Sequence, residues 1–194
     1  MHDITNLAAD EQVFTSNVFL VDGKRTVLVD PGDEFDVVSK IEARTGDIDA
    51  VVLTHTHHDH VGNTEAVTER FDVDVWGFDP DHELVDHEIE DDTTVALGDR
   101  EYRALHTPGH KNDHLCFLRE DGGDLIAGDL VFANGGFGRT DLDEGDHPRL
   151  IESIERVLDA TDDSLRAFYA GHGPVVDREP RQHIQLALRS ARMS

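Results

Sequence analysis

Apolar positions along the chain come in short runs that switch between the period of a strand and the period of a helix. Each switch falls near Gly, Pro or Asp. Val13 to Val21 and Thr26 to Val29 read as paired strands about the turn Asp22-Gly23, and the second stops at the breaker Asp30-Pro31-Gly32. Glu34 to Arg44 carries helical spacing through Phe35, Val38 and Ile41 and ends at Gly46. Ala50 to Leu53 predicts a short buried strand that runs straight into Thr54-His55-Thr56-His57-His58-Asp59-His60. A helix is expected after Val61 and a strand over Val73 to Trp76. Thr93 to Leu97, Glu101 to Leu105, His114 to Leu118 and Leu125 to Ala127 then read as successive strands. The last third predicts a helix from Pro148 to Leu158, a strand over Ala167 to Ala170 and a helix from Pro180 to Arg192. Strands followed by helix and strand in each half imply an α/β chain with two sheets face to face and helices outside. With no internal repeat in 194 residues, one domain over 1–194 is expected.

Composition narrows the class of protein. No stretch approaches the ~20 apolar residues of a membrane span, and the opening residues lack the basic end and apolar run of a signal peptide. The expectation is a soluble, cytoplasmic protein with no membrane partner. The single cysteine, Cys116, excludes an internal disulfide framework and a Cys-rich zinc cluster. Seventeen basic against 42 acidic residues leave a formal charge of −25, which repels a nucleic-acid backbone. Lys24, Lys40 and Lys111 are the only lysines, and the acidic residues are dispersed among periodic apolar segments rather than gathered in a tail. Molar salt shortens the screening length to about 3 Å and removes most of the resulting self-repulsion, so a halophilic source is expected.

Thirteen histidines are present, and their placement matters more than their number. His55, His57, Asp59 and His60 follow immediately on a buried strand, where the backbone rather than a mobile tether fixes them. Three further segments repeat the pattern of strand end, small residue and candidate ligand: Thr107-Pro108-Gly109-His110, Gly128-Asp129 and Gly171-His172-Gly173. Small neighbours permit the sharp turns and close backbone approach that a crowded metal centre requires. Imidazole and carboxylate together make a site suited to zinc, iron or manganese. Seven such donors are too many for one tetrahedral ion and leave open positions on two.

HTHHDH followed by TPGH, GD and GHG resembles the metallo-β-lactamase superfamily, whose signature is HxHxDH, over about Asn17 to Gly173. The resemblance implies a four-layer αββα sandwich with the metals at one edge. It places His55, His57 and His110 on one metal, Asp59, His60 and His172 on the second, and Asp129 between the two. Asp59 and Asp129 are then the catalytic carboxylates, and the cofactor is two divalent ions, with zinc expected and iron or manganese as alternatives. Within the superfamily, Gly128-Asp129-Leu130-Val131-Phe132 followed by Gly138-Arg139-Thr140-Asp141-Leu142 resembles the glyoxalase II group, as does His114 in HKNDHLCF. That implies a hydrolase cleaving a small 2-hydroxyacyl thioester. Glyoxalase II proper carries an additional C-terminal helical region that grips glutathione, and only a single helix is expected after Gly171-His172-Gly173 in these residues, which leaves the thiol carrier open.

The GRTDL segment is shared with persulfide dioxygenases, so a mononuclear iron enzyme using His55, His110 and Asp129 is the alternative. A non-catalytic metal-binding protein is the third reading. Cys116 lies inside an expected strand, unlike the ligand cysteine of β-lactamases proper, and His57 departs from flavodiiron relatives, which carry Glu there. Asp30 and Asn17 are expected to orient the ligand loop, although Asp30 also suits an ordinary turn. His114 lines the pocket or is structural, and Arg139 binds a substrate carboxylate or pairs with a neighbouring acid. His58 stands at a variable position of the motif and His106 beside the TPGH turn; His2, His82, His87, His147 and His183 are expected to be surface or structural. From the charge follows a first test: thermal melts over a potassium chloride series should show the midpoint rising from low toward molar salt, whereas a flat or falling midpoint refutes the halophilic reading.

Overall fold

The computed structural model describes residues 4–194, in which the chain forms two compact units. The first unit comprises the residues up to Ile89 together with Val95–Glu101. It contains β1 (Ile4–Asn6), β2 (Phe19–Val21), β3 (Val27–Val29), α1 (Val37–Arg44), β4 (Ala50–Val52), α2 (His58–Val61), α3 (Thr64–Phe71), β5 (Val75–Gly77) and β6 (His87–Glu88). These strands form one sheet in the order β1-β2-β3-β4-β5-β6. The pairs β1/β2 and β2/β3 are antiparallel, and those from β3 to β6 are parallel. Strands β3 and β4 are wholly buried, which is why they read as unbroken apolar runs rather than alternating ones. Leu20, Leu28 and Val51 of the sheet share a core with Val37 and Ile41 of α1 and Val67 and Phe71 of α3. Helix α1 starts where the Asp36 side chain accepts the Ser39 N–H, so its first turn lies three residues later than the periodicity suggests.

The second unit comprises Glu90–Thr94 and Tyr102–Ser194. After β7 (Thr94–Leu97) and β8 (Arg100–His106), where the chain passes between units, come β9 (Leu115–Arg119), β10 (Asp124–Gly128), α4 (His147–Ala160), β11 (Ala167–Ala170) and α5 (Pro180–Ala191). The sheet order is β11-β10-β9-β8-β7. Neighbours β8/β9 and β9/β10 are antiparallel, and β10/β11 is parallel. Helix α4 buries Leu150, Ser153, Ile154 and Val157, the i, i+3, i+4, i+7 stripe of an amphipathic helix. That stripe joins Leu105, Cys116, Leu125 and Ala127 of the sheet and Ile184, Ala187 and Leu188 of α5 in one core.

Several expectations need correction. Residues 13–18 are not strand: Val13 and Phe14 are exposed, and the Ser16 N–H bonds to the Asp59 carbonyl instead of a sheet neighbour. Strand β1 and the two-residue β6 were not foreseen, because neither carries a buried apolar run; β1 is half-buried and β6 exposed. Among the described residues no helix is long and apolar enough to cross a membrane.

Two glycines give a paired test of how tightly the chain is packed. Gly109 has φ 131°, and a Cβ there would run into the Leu150 backbone at the start of α4, whereas Gly46, at φ 81°, has open space around it. Gly46→Ala should lose about 1 kcal/mol from backbone strain alone, and Gly109→Ala about 3 kcal/mol or more from strain plus overpacking. Denaturant midpoints of the two variants will show whether that ordering holds.

Candidate metal centre

In the first unit the loop of candidate ligands is organised by a carboxylate that is almost wholly buried. Asp30 ends β3 with φ 54°, a left-handed conformation that Asp tolerates better than most residues, and is 2% exposed. Its Oδ1 accepts the Thr54 N–H at 2.7 Å, and its Oδ2 accepts the Thr54 hydroxyl at 2.6 Å and His60 Nδ1–H at 2.8 Å. Because Thr54 gives its proton to Asp30, its oxygen accepts from His55 Nδ1 at 3.1 Å. Both histidines are thereby fixed with the proton on Nδ1, which leaves Nε2 as the basic nitrogen, the one able to bind a metal.

The motif continues into α2, a single helical turn. His57 stands before it in extended conformation, and the turn carries Asp59 and His60 together, with His60 Nε2 4.0 Å from Asp59 Oδ2. His55 Nε2 and His57 Nδ1 lie 3.1 Å apart. The loops before β2 and after β3 are laced to this turn, Ser16 N–H donating to the Asp59 carbonyl and Gly32 N–H to that of His60. Asn17 Oδ1 accepts from the Asn6 amide at 2.8 Å. His58 is exposed, its Nε2 3.3 Å from Asp33.

The second unit presents three donors. The loop from His106 to His114 is closed by Thr107 N–H donating to the His114 carbonyl and His106 Nε2–H to that of Asn112, and pinned by Ser153 Oγ–H on the Pro108 carbonyl. It carries His110, which is 3% exposed and donates Nδ1–H to the Arg139 carbonyl at 2.7 Å. Asp129 leaves β10 directly after a register shift between Ile126 and Gly128, where Gly128 has φ 48°. Bulges of this kind re-aim the chain at functional sites. Asp129 Oδ2 stands 3.5 Å from His110 Nε2 and 3.5 Å from His172 Nε2.

His114 is fully buried, and both ring nitrogens are engaged. Nε2 accepts the Asp129 main-chain N–H at 2.9 Å, so the proton is on Nδ1 and is given to Thr107 Oγ1 at 2.8 Å. The Arg139 side chain, by contrast, is 62% exposed and forms a two-pronged ion pair with Asp141, which holds the Asp141 carboxyl down at about 2. Sequence reasoning singled out the Arg139 guanidinium and missed its carbonyl. It also passed over Gly138, where a Cβ would overlap the Asp129 carbonyl and come within 3.0 Å of His110 Cβ; a Gly beside a ligand segment was the only signal for it. His82 and His87 lie outside these loops, His87 being stacked on Trp76 and bonded to Asp74, while His2 falls outside the described residues.

The donor set passes a chemical test for a divalent ion. Bonds of about 2.0–2.1 Å at tetrahedral angles put neighbouring donors roughly 3.4 Å apart, and the separations within each unit run from 3.1 to 4.0 Å. Each of the seven residues belongs to a cluster of His and Asp donors able to hold a metal ion. No thiolate competes, since burial pushes the Cys116 thiol up to about 12.

Mixed sheets flanked by helices, with imidazole and carboxylate donors at the strand ends, define a metal-binding α/β protein. Residues 12–172 match the family described as the Metallo-beta-lactamase superfamily, and the chain belongs to it. It is 30% identical over 182 residues to the probable metallo-hydrolase YqgX of Bacillus subtilis, covering 82% of this chain and 85% of that one. It is 30% identical over 186 residues to the hydroxyacylglutathione hydrolase GloC of Haemophilus influenzae, covering 82% and 86%. The crystal structure of ETHE1 from Myxococcus xanthus superposes with a TM-score of 0.77 at 24% identity, over 97% of this chain and 89% of that one. The fold is therefore the α/β sandwich of the superfamily.

Replacing Asp30 isolates its role. Asp30→Asn keeps the shape and the left-handed backbone but turns a donor toward Thr54 or His60, so metal affinity in a chelator competition should fall 10- to 100-fold. An unchanged affinity would show that the carboxylate does not orient the ligands.

Proposed function

We propose that the protein is a dinuclear metal-dependent thioester hydrolase of the glyoxalase II type, acting on a small 2-hydroxyacyl thioester in the cytoplasm, and that 1–194 works as one domain. In this reading His55, His57 and His110 hold one ion, Asp59, His60 and His172 hold the second, and Asp129 serves both. The observation that carries it is the completeness of the second set: Asp59 and His60 share one turn of helix, and His172 sits as close to Asp129 Oδ2 as His110 does, at 3.5 Å. A mononuclear centre built on His55, His110 and Asp129 does not require those three residues. The likeness to a hydroxyacylglutathione hydrolase supports the thioester as substrate.

Two divalent ions, zinc in the first instance with iron or manganese as alternatives, would lower the pKa of a water and stabilise negative charge on the substrate oxygen. The rest is the work of the chain. Asp59 and Asp129 are acceptors that hold the attacking water by its protons as its oxygen meets the thioester carbonyl carbon. The C–S bond then breaks to give a carboxylic acid and a thiol, and a thiolate leaves without a strong general acid, because thiols ionise near pH 8.5. Asp30, through Thr54, His55 and His60, keeps the Nε2 donors in place. His114 acts on Asp129 through the main chain rather than on substrate, and Asn17 steadies the segment before β2. The Arg139 guanidinium reaches a substrate carboxylate only by exchanging its pair with Asp141.

Thiol release from a lactoyl thioester and oxygen uptake with a persulfide, measured on wild type and His172→Ala, separate this reading from the iron dioxygenase suggested by GRTDL. Thiol release should be present and should fall about 10²- to 10³-fold in the variant, the loss typical of removing a principal electrostatic stabiliser. Oxygen uptake that survives the substitution overturns the proposal.

A further inference from the structure

The carbonyl that orients His110 belongs to a backbone with little stiffness of its own. Asn134-Gly135-Gly136-Phe137-Gly138-Arg139 contains three glycines, so this segment loses more freedom on ordering than ordinary chain does. Something must hold it, and α5 grips it at two points. Asn134, at φ 60°, donates its main-chain N–H to His183 Nδ1 at 2.8 Å, and the next residue, Gly135 at φ 82°, lies so close to Leu186 that a Cβ would stand 3.0 Å from Leu186 Cβ. At the far end of α5 the Ala191 carbonyl accepts His147 Nε2–H at 2.8 Å, while His147 Nδ1 accepts the Thr140 hydroxyl at 3.3 Å. The Phe137 ring rests against His147, with 6.0 Å between ring centroids. Between the two grips, Gly138 and the Arg139 carbonyl meet His110.

We propose that His183 and His147 are positioning residues for His110: they fasten the glycine-rich segment to α5, and the segment in turn fixes the imidazole through the Arg139 carbonyl. The proposal rests on His110 as a metal ligand, and it does not depend on which substrate is cleaved. A purely structural role fits less well. Helix α5 is already seated by Ile184, Ala187, Leu188 and Ala191, all buried, whereas His147 and His183 are half-exposed and hydrogen-bond toward the site segment, His183 also standing edge-on to the core residue Phe168 with 6.5 Å between ring centroids.

The test uses the full chain stripped of metal, with zinc affinity read by chelator competition, the visible spectrum read after cobalt loading, and the melting midpoint of the metal-free form. His183→Ala and His147→Ala should each weaken zinc binding about tenfold, the lower end for outer partners of a metal ligand, and shift the cobalt spectrum, with the metal-free midpoint unchanged. His183→Asn puts an acceptor where Nδ1 stood and His147→Gln a donor where Nε2 stood, so both should restore affinity and spectrum. His87→Ala is the surface control. Loss of zinc in His110→Ala with no change in affinity or spectrum in the two alanine variants overturns the proposal alone, as does a loss that the Asn and Gln variants fail to restore. Unchanged zinc binding in His110→Ala overturns it together with the ligand assignment.

Discussion

The buried carboxylate of Asp30 is the constraint on which the first half of the site depends. Without solvent it must find donors inside the protein, and it finds three: the Thr54 N–H, the Thr54 hydroxyl and His60 Nδ1–H. Each bond stabilises the carboxylate and at the same time decides something about a neighbour. The main-chain bond fixes how the chain leaves β4, the hydroxyl bond sets which way Thr54 points and so which nitrogen of His55 is protonated, and the imidazole bond does the same for His60. Residues 24 to 30 positions apart are locked by one group. The left-handed backbone at Asp30 is strain of the kind that persists only where its surroundings over-determine it, and three donors on a dry carboxylate are such surroundings.

The second unit reaches the same end with neutral main-chain groups. His110 is oriented by a carbonyl and Asp129 by its own N–H, held on a neutral His114. This difference explains what was legible in the sequence. Candidate donor types, and the strand ends that carry them, are local properties, so His55, His57, Asp59, His60, His110, Asp129 and His172 stood out as one set of candidates, and so did Asp30, whose bonding group is a side chain. Groups on the backbone have no letter. The Arg139 carbonyl was hidden behind a guanidinium that turns toward Asp141, the register shift before Asp129 follows from pairing with β11, and nothing in HKNDHLCF tells a buried His114 that holds a peptide N–H from one that meets substrate. Short elements were lost for a related reason. The turn α2 is too brief to show a period, and β1 exists because Ile4 to Asn6 pair with Phe19 to Val21, a partnership the segment does not advertise by itself.

Acidity, too, is more than a field around the molecule. Asp36, Asp121, Asp141 and Asp162 are largely exposed, and each has its carboxyl held below the usual range by a specific donor: Ser39, Arg119, Arg139 and Ser164 respectively. A folded-state pKa below the unfolded one means the group favours the folded protein above the ordinary carboxylate pKa, and that this contribution fades as the pH falls through the lowered value. For Asp141 the fading runs from the ordinary carboxylate range down to about 2. Water and salt screen such pairs, so individually they count for little, but they are not interchangeable with the remaining charge. Asp36 starts a helix, Asp121 and Asp162 close turns, and Asp141 ties the guanidinium of the residue whose carbonyl orients His110. Part of the acidic excess is therefore tied to particular backbone conformations, and only the remainder acts as general repulsion for salt to relieve.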